Sequence, residues 1–315
     1  MTPNERFLEF LEDIEPSGTT KANSVSAHTR VRETLLADAE FGPHVQRVFL
    51  GGSYKRHTAI RPRQKNGVLD RPDIDIYVVV DAALHTTTPS AEIERLYAAL
   101  DHARKTLGIT RLKRNRVALA VAMSNADLDV CVLIPRQSDN LYRIGNRETG
   151  EWYKTDPEAH TAWSTDQNTR FSGRFKPMTK LVKWARRENP TRYRHPKSFA
   201  IEGFLSVNLD ETEVHYGRLF HAFCATFVDT YRVHRLLDTC PTLDDPAVLG
   251  GNLLSNVDGA EFSAYFDKIK SHRDDAARAL AEEDQGEATK HWRRIFGSRF
   301  RNQPAAPTER PAKFA

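Results

Sequence analysis

The chain has 315 residues, 39% of them apolar and 28% charged, and a net charge of +4. That composition excludes a disordered chain, which would have too little apolar surface to bury, and no apolar run approaches the ~20 residues of a membrane-spanning helix. The mild positive charge does not by itself demand a nucleic-acid partner. The length suggests two domains or one large one. The first residues, Met1 to Phe7, lack the basic start and apolar core of a signal peptide. The cysteines Cys131, Cys224 and Cys240 are odd in number and form no CxxC pair. They suit a reducing cytosol better than a disulfide framework or a zinc site.

In chain order, Phe7, Leu8, Phe10, Leu11 and Ile14 fall at helical spacing over residues 4–13. A second helix is predicted over 24–39, with Val31, Leu35 and Leu36 as its apolar positions. Residues 45–50 form a short strand candidate. Residues 74–80 form a strong one, with isoleucine, tyrosine and three valines in a row. A helix over 92–105 and strands over 117–123 and 128–134 follow, the last stopped by Pro135. After about residue 160 the pattern becomes wholly helical: 178–187, 199–207, 215–237, 260–283 and 287–296 all read as helices. Strands first and helices afterwards predict an α+β chain: a mixed-sheet domain over 1–160, then an all-helical lobe over 161–301. The tail, 302–315, carries Pro304, Pro307 and Pro311 among small polar residues and reads as flexible.

Charge is unevenly spread. Residues 170–197 hold ten lysines and arginines and one acid, Glu188. Such a stretch is either a solvated helix face with a basic loop or a contact for a polyanion.

The chemistry concentrates between Phe49 and Asp81. A strand is followed by Gly51-Gly52-Ser53, and a polar loop by Asp73-Ile74-Asp75 opening the next strand. Alternation along a strand places Asp73 and Asp75 on one face and Ile74 and Ile76 on the other. Paired carboxylates repel unless a cation lies between them, and hard oxygen donors suit Mg²⁺. Glycines followed by a helix start let a phosphate approach the backbone, and a serine hydroxyl adds a donor. Asp127-Leu128-Asp129, on a later strand, supplies the third carboxylate. Asp127 competes with Asp129 for that position. Asp129 is preferred because an apolar run, Val130 to Ile134, follows it.

This ordered set resembles the nucleotidyltransferase fold shared with DNA polymerase beta and poly(A) polymerase. More narrowly, it resembles the bacterial relatives of cyclic GMP–AMP synthase, the CD-NTases of antiphage (CBASS) defence. Three later segments extend the likeness over about 5–300: Met178 to Trp184, Lys197 to Glu202, and Trp292 to Gly297. The resemblance implies a polymerase-beta-like core that joins ribonucleoside triphosphates, ATP among them, into a cyclic oligonucleotide and releases pyrophosphate. It implies that Gly52 and Ser53 bind the donor triphosphate and that Asp73, Asp75 and Asp129 hold Mg²⁺, or Mn²⁺ in its place. Lys183 and Ser198 would reach the triphosphate from the helical lobe, and Phe199 occupies the place where relatives often stack an aromatic on a base. Ser198 also fits a helix N-cap, and Phe199 a core position. The loop from Pro62 to Pro72 is longer than in the tightest family members.

The resemblance also implies partners. Some members are switched on by a protein and some by RNA, so RNA is not required. Some carry a mobile C-terminus that a ubiquitin-transfer-like enzyme conjugates, and here the chain ends Lys313-Phe314-Ala315. Two other readings of the same residues are template-independent nucleotide addition to RNA or protein, and a binding module without turnover. Three clustered carboxylates argue against the latter.

Overall fold

A computed structural model of the chain describes residues 2–302 apart from 66, 67, 72 and 194. The elements run α1 (Asn4–Ile14), α2 (Gly18–Ala37), β1 (Val45–Leu50), α3 (Gly52–Lys55), β2 (Arg63–Lys65), β3 (Val68–Asp70) and β4 (Ile74–Val80). Then come α4 (Pro89–His102), α5 (Arg104–Leu107), β5 (Ile109–Arg114), β6 (Leu119–Met123), β7 (Asp127–Ile134), β8 (Tyr142–Asn146) and β9 (Glu151–Thr155). The rest is helical: α6 (Pro157–Arg170), α7 (Phe175–Glu188), α8 (Ser198–Asn208), α9 (Tyr216–Leu236), α10 (Gly259–Ala281) and α11 (Gln285–Phe296). The described chain divides into two compact units, residues 16–162 and residues 2–15 with 163–302.

The first unit is built on a seven-stranded mixed sheet whose main path is β1-β4-β7-β6-β5, with β8 and β9 continuing from the end of β7. Strand β4 runs parallel to β7 and antiparallel to β1. Its odd–even alternation is strict where it matters. Ile74, Ile76, Val78 and Val80 are buried against Val31 and Leu35 of α2 and Ile93, Leu96 and Leu100 of α4. Each such aliphatic side chain contributes roughly 1.5–3 kcal/mol when fully buried. On the opposite face, Val79, Leu133 and Tyr142 form a smaller cluster with Phe49, Tyr77 and Ile144. Helix α4 starts cleanly because the Thr88 hydroxyl accepts from the Ala91 amide and Pro89 fills the first turn.

Strands β5, β8 and β9, the β2–β3 hairpin and helix α6 are not among the sequence expectations. Strand β5 reads Ile-Thr-Arg-Leu-Lys-Arg, and its charge hides the alternation. Charged side chains are nevertheless what a strand at a sheet edge tolerates.

The second unit is helical, and α1 belongs to it, whereas the sequence reading places residues 1–15 in the first domain. The reason is aromatic packing. Phe7 is fully buried, with ring centroids 4.9 Å from Trp292, 5.3 Å from Phe300 and 5.8 Å from His215. Phe10 lies against Trp184 and Phe296. His215 Nδ1 accepts from the Gly217 and Arg218 amides at the start of α9, which leaves Nε2 to donate to the Thr2 carbonyl, 3.0 Å away. A second aromatic cluster of Phe204, Phe227, Tyr231, Phe262 and Tyr265 binds α8, α9 and α10 together. The proline-rich tail from residue 303, including Lys313, Phe314 and Ala315, lies outside the described residues.

Candidate functional site

Strand β1 ends at Leu50, opposite Ile76 of β4, and Gly51 turns the chain into the four-residue helix α3. The Gly51 amide donates to the Asp75 carbonyl at 2.9 Å, which pins the turn to the start of β4. Gly52 has φ +62°, the left-handed region that favours glycine. A Cβ there would fall on the Asp75 carboxylate and lie 2.8 Å from the Asp75 Cβ. A Cβ on Gly51 would lie 2.9 Å from Tyr77 Cδ2 and closer still to Cε2. Both glycines are therefore required by close approach, and the turn is built directly over Asp75. Ser53 follows in α3, its carbonyl accepting from the Thr58 and Ala59 amides at 2.9 and 3.0 Å.

Asp73 is exposed just before β4, and Asp75 is half-buried within it. The β4–β7 register places Asp75 directly opposite Asp129. In a parallel pair such partners share a sheet face, so the two carboxylates are neighbours. The Asp129 carboxyl is pushed up to about 7, first by burial and then by the charges of Asp73 and Asp75. Burial, reinforced by Asp75 and Asp129, also raises the neighbouring Cys131 thiol. Asp127 is differently placed, with its carboxylate 3.7 Å from the Arg71 guanidinium, which also donates to the Ser124 carbonyl. Register and charge together favour Asp129 over Asp127 as the third carboxylate.

Among the described residues, no three His, Cys, Asp or Glu side chains are drawn closely enough together to bind one metal ion as they stand. The fit to a divalent cation lies in donor chemistry and register. Hard carboxylate oxygens from Asp75 and Asp129 stand on adjacent strands with Asp73 beside them, and their mutual repulsion is what a hard cation offsets.

The remaining candidates lie in the helical unit. Lys180 and Lys183 are both buried, together with Leu181, Trp184 and Ala185 of the same helix. Lys180 is ion-paired with Glu15. Ser198 is the first residue of α8, with Lys197 at the N-cap position and no side-chain cap bond, so it does not cap the helix. Its hydroxyl instead accepts from the Arg186 guanidinium at 3.0 Å. Phe199 is half-buried, its ring edge-on to Trp163 at 5.6 Å. At least six of the ten basic residues between 170 and 197 have partners inside this unit, Arg192 by stacking on Tyr193. Arg170 grips Glu211, Arg174 donates to the Glu211 carbonyl, Arg186 donates to the Pro196 carbonyl, Arg187 stacks on Trp184, and Lys180 holds Glu15. The stretch is thus largely structural, and for Arg170, Arg174 and Lys180 the sequence does not reveal that use, because Glu211 and Glu15 are distant in the chain.

Residues 1–168 match the family described as the Second Messenger Oligonucleotide or Dinucleotide Synthetase (SMODS) domain. A curated relative, the cyclic AMP-AMP-AMP synthase of an Acinetobacter species, is 37% identical over 302 residues, covering 95% of this chain and 86% of its own. The chain belongs to the SMODS family of CD-NTases. The SMODS fold recurs in E. coli CdnC, solved as a CdnC:HORMA-deltaN complex, with a TM-score of 0.75 at 19% identity, covering 95% of this chain and 98% of that one. It recurs in Bradyrhizobium diazoefficiens CdnG, a CD-NTase solved in complex with GTP, with a TM-score of 0.76 at 11% identity, covering 94% and 95%. As a SMODS enzyme the protein is a nucleotidyltransferase that joins nucleoside triphosphates into a cyclic oligonucleotide second messenger.

Proposed function

We propose that this enzyme uses ATP to make a cyclic tri-adenylate signal in antiphage defence, through a site formed by Asp73, Asp75 and Asp129 beside the Gly51-Gly52-Ser53 turn. The observation that carries the site assignment is the pairing of Asp75 with Asp129 under a glycine turn that admits no side chain. The product assignment rests on the 37% identical cyclic AMP-AMP-AMP synthase. In each step an acceptor ribose oxygen bonds to the donor α-phosphorus as the bond to pyrophosphate breaks. The demand on the protein is positioning and charge neutralisation rather than covalent catalysis.

Asp73, Asp75 and Asp129 would hold the divalent ions, Mg²⁺ or Mn²⁺. When bound, these ions stabilise the leaving pyrophosphate and lower the pKa of the attacking hydroxyl. Gly52 and Ser53 present backbone and hydroxyl donors to the donor triphosphate. Lys183 and Ser198 are the contributions proposed from the helical unit, with Phe199 as a base-stacking ring. A HORMA-type protein, as in the CdnC complex, is the proposed activating partner. A conjugating enzyme acting on the C-terminus is a second partner, tested by mass spectrometry of conjugates with and without Ala315. Buried free thiols at Cys131 and Cys224 suit a reducing cytosol, and among the described residues no helix is long and apolar enough to cross a membrane.

The test is thin-layer chromatography of labelled ATP, GTP, CTP and UTP, singly and mixed, incubated with Mg²⁺ or Mn²⁺. The expected result is a phosphatase-resistant product from ATP alone that is absent with Asp73→Asn, Asp75→Asn. A product that requires a second base overturns the tri-adenylate assignment. Undiminished product from the double variant overturns the site.

A further inference from the structure

The strand register carries the site beyond the carboxylates. Reading across the sheet on the face of Asp75, the residues in line are Asp75 on β4, Asp129 on β7, Ala120 on β6 and Lys113 on β5. The adjacent row is Asp127, Ala122 and Arg111. Cross-strand partners share a face, so Lys113 and Arg111 stand on the same face as the carboxylates. Burial confirms the alternation: Leu119, Val121 and Met123 of β6 are buried, while Ala120 and Ala122 are half-exposed. On β5, Arg111 and Lys113 are exposed, whereas Leu112 packs toward the core and Arg114 stacks on Tyr97 of α4.

Two features of these rows stand out physically. The strand between the carboxylates and the basic edge carries only methyl groups on this face, so it forms a shelf rather than a wall. Strand spacing of about 4.8 Å places β5 roughly 10 Å from Asp129, a gap that a nucleotide lying on the shelf would bridge. In addition, among the described residues neither Arg111 nor Lys113 has an ion-pair or hydrogen-bond partner, whereas Arg114 is taken by Glu94, Arg104 by Asp101, and Asp127 already has Arg71.

We propose that Arg111 and Lys113 bind the 5′-triphosphate of the acceptor nucleotide, the one whose ribose hydroxyl attacks. The inference rests on the nucleotidyl-transfer reading and adds the direction of the reaction across the sheet. The glycine turn lies on the β1 side of Asp75, so the donor triphosphate and its leaving pyrophosphate lie on that side. Attacking and leaving oxygens stand roughly in line across the α-phosphorus, so the attacking hydroxyl comes from the β7 side. The acceptor then lies over Ala120 and Ala122, and its own triphosphate projects to the β5 edge. No bond to the acceptor triphosphate is made or broken in this step. The acceptor oxygen bonds to the donor α-phosphorus, pyrophosphate leaves, and the hydroxyl proton is released to solvent.

The test separates the two nucleotides chemically. Labelled 2′,3′-dideoxy-ATP serves as donor, because it has no hydroxyl with which to attack. The acceptor is either α,β-methylene-ATP, which cannot release pyrophosphate, or adenosine, which has no 5′ charge. The wild type is expected to couple the donor to α,β-methylene-ATP at least about tenfold more efficiently, by kcat/KM, than to adenosine. The Arg111→Ala, Lys113→Ala double variant should lose that preference, mostly through KM, while coupling to adenosine stays within about twofold of wild type. Lys113→Arg should retain most of it. An unchanged preference in the double variant overturns the proposal, as does an equal fall for both acceptors, which would mark a structural role. A wild-type enzyme that couples the donor to neither acceptor and makes no product from ATP overturns the nucleotidyl-transfer reading itself, a result distinct from either.

Discussion

Gly52→Ala is the sharpest perturbation that the structure offers. Two costs follow from one methyl group. A left-handed backbone at a non-glycine residue costs roughly 1–2 kcal/mol, which for a unit of this size lowers the melting temperature by about 2–4 °C per kcal/mol. The larger effect is local. The new Cβ would occupy the space of the Asp75 carboxylate and lie 2.8 Å from the Asp75 Cβ, so the carboxylate must swing away by about 1 Å or more. A misplacement of that size can lower turnover by about 10²-fold. The assay is the initial rate of pyrophosphate release from ATP, with thermal melting of the same samples. The control is Gly150→Ala, with φ +73° but nothing within 4 Å of its Cβ. It pays the backbone cost in the β8–β9 turn without a collision and should melt lower while keeping its turnover. Turnover by Gly52→Ala within about threefold of wild type, or an equal loss of activity in Gly150→Ala, would show that the close approach of Gly52 to Asp75 does not govern turnover.

Three further outcomes are expected. Asp129→Asn should lower turnover by at least about 10²-fold, and in EDTA it should also stabilise the fold in a pH-dependent way. The folded Asp129 carboxyl titrates near 7, above its unfolded value, so the folded state binds the extra proton between about pH 4 and 7 and loses stability as pH rises through that window. The variant should therefore melt above wild type at pH 8 and level with it near pH 4; a lower melting point at pH 8 contradicts this. Lys180→Met should destabilise the protein by about 2 kcal/mol in urea, because it removes the buried cation that is ion-paired with the partly buried Glu15. A double-mutant cycle with Glu15→Gln should recover part of that loss, and additivity within error would mean that the pair contributes nothing. Phe7→Ala should cost about 3–5 kcal/mol, since the ring is fully buried among Trp292, Phe300 and His215; a loss under 1 kcal/mol would show that α1 does not belong to the helical core.

Much of this protein can be read along the chain because its determinants are local. Strands β1 and β4 run over 45–50 and 74–80 as predicted; in β4 the run of isoleucine, tyrosine and three valines leaves little choice of backbone, and in β1 the Val48-Phe49-Leu50 end does the same. The helices α7 to α11 follow from 3.6-residue apolar periodicity. The glycine pair and the Asp-Ile-Asp segment are local as well, and the proposed site rests on their residue type and spacing.

What the chain order does not contain is pairing. The neighbourhood of Asp75 and Asp129 depends on β4 lying parallel to β7, and the preference over Asp127 depends on where Arg71 reaches. Strand β5 is obscured by its own charge, and its place at the sheet edge, with Arg111 and Lys113 across two alanines from the carboxylates, emerges only from register. The partners of Lys180 and Ser198, Glu15 and Arg186, likewise emerge only in the fold. Periodicity and propensity act over a few residues and are written in sequence. Strand order, register and the partners of buried charges arise from contacts between distant segments, and those exist only once the chain is folded.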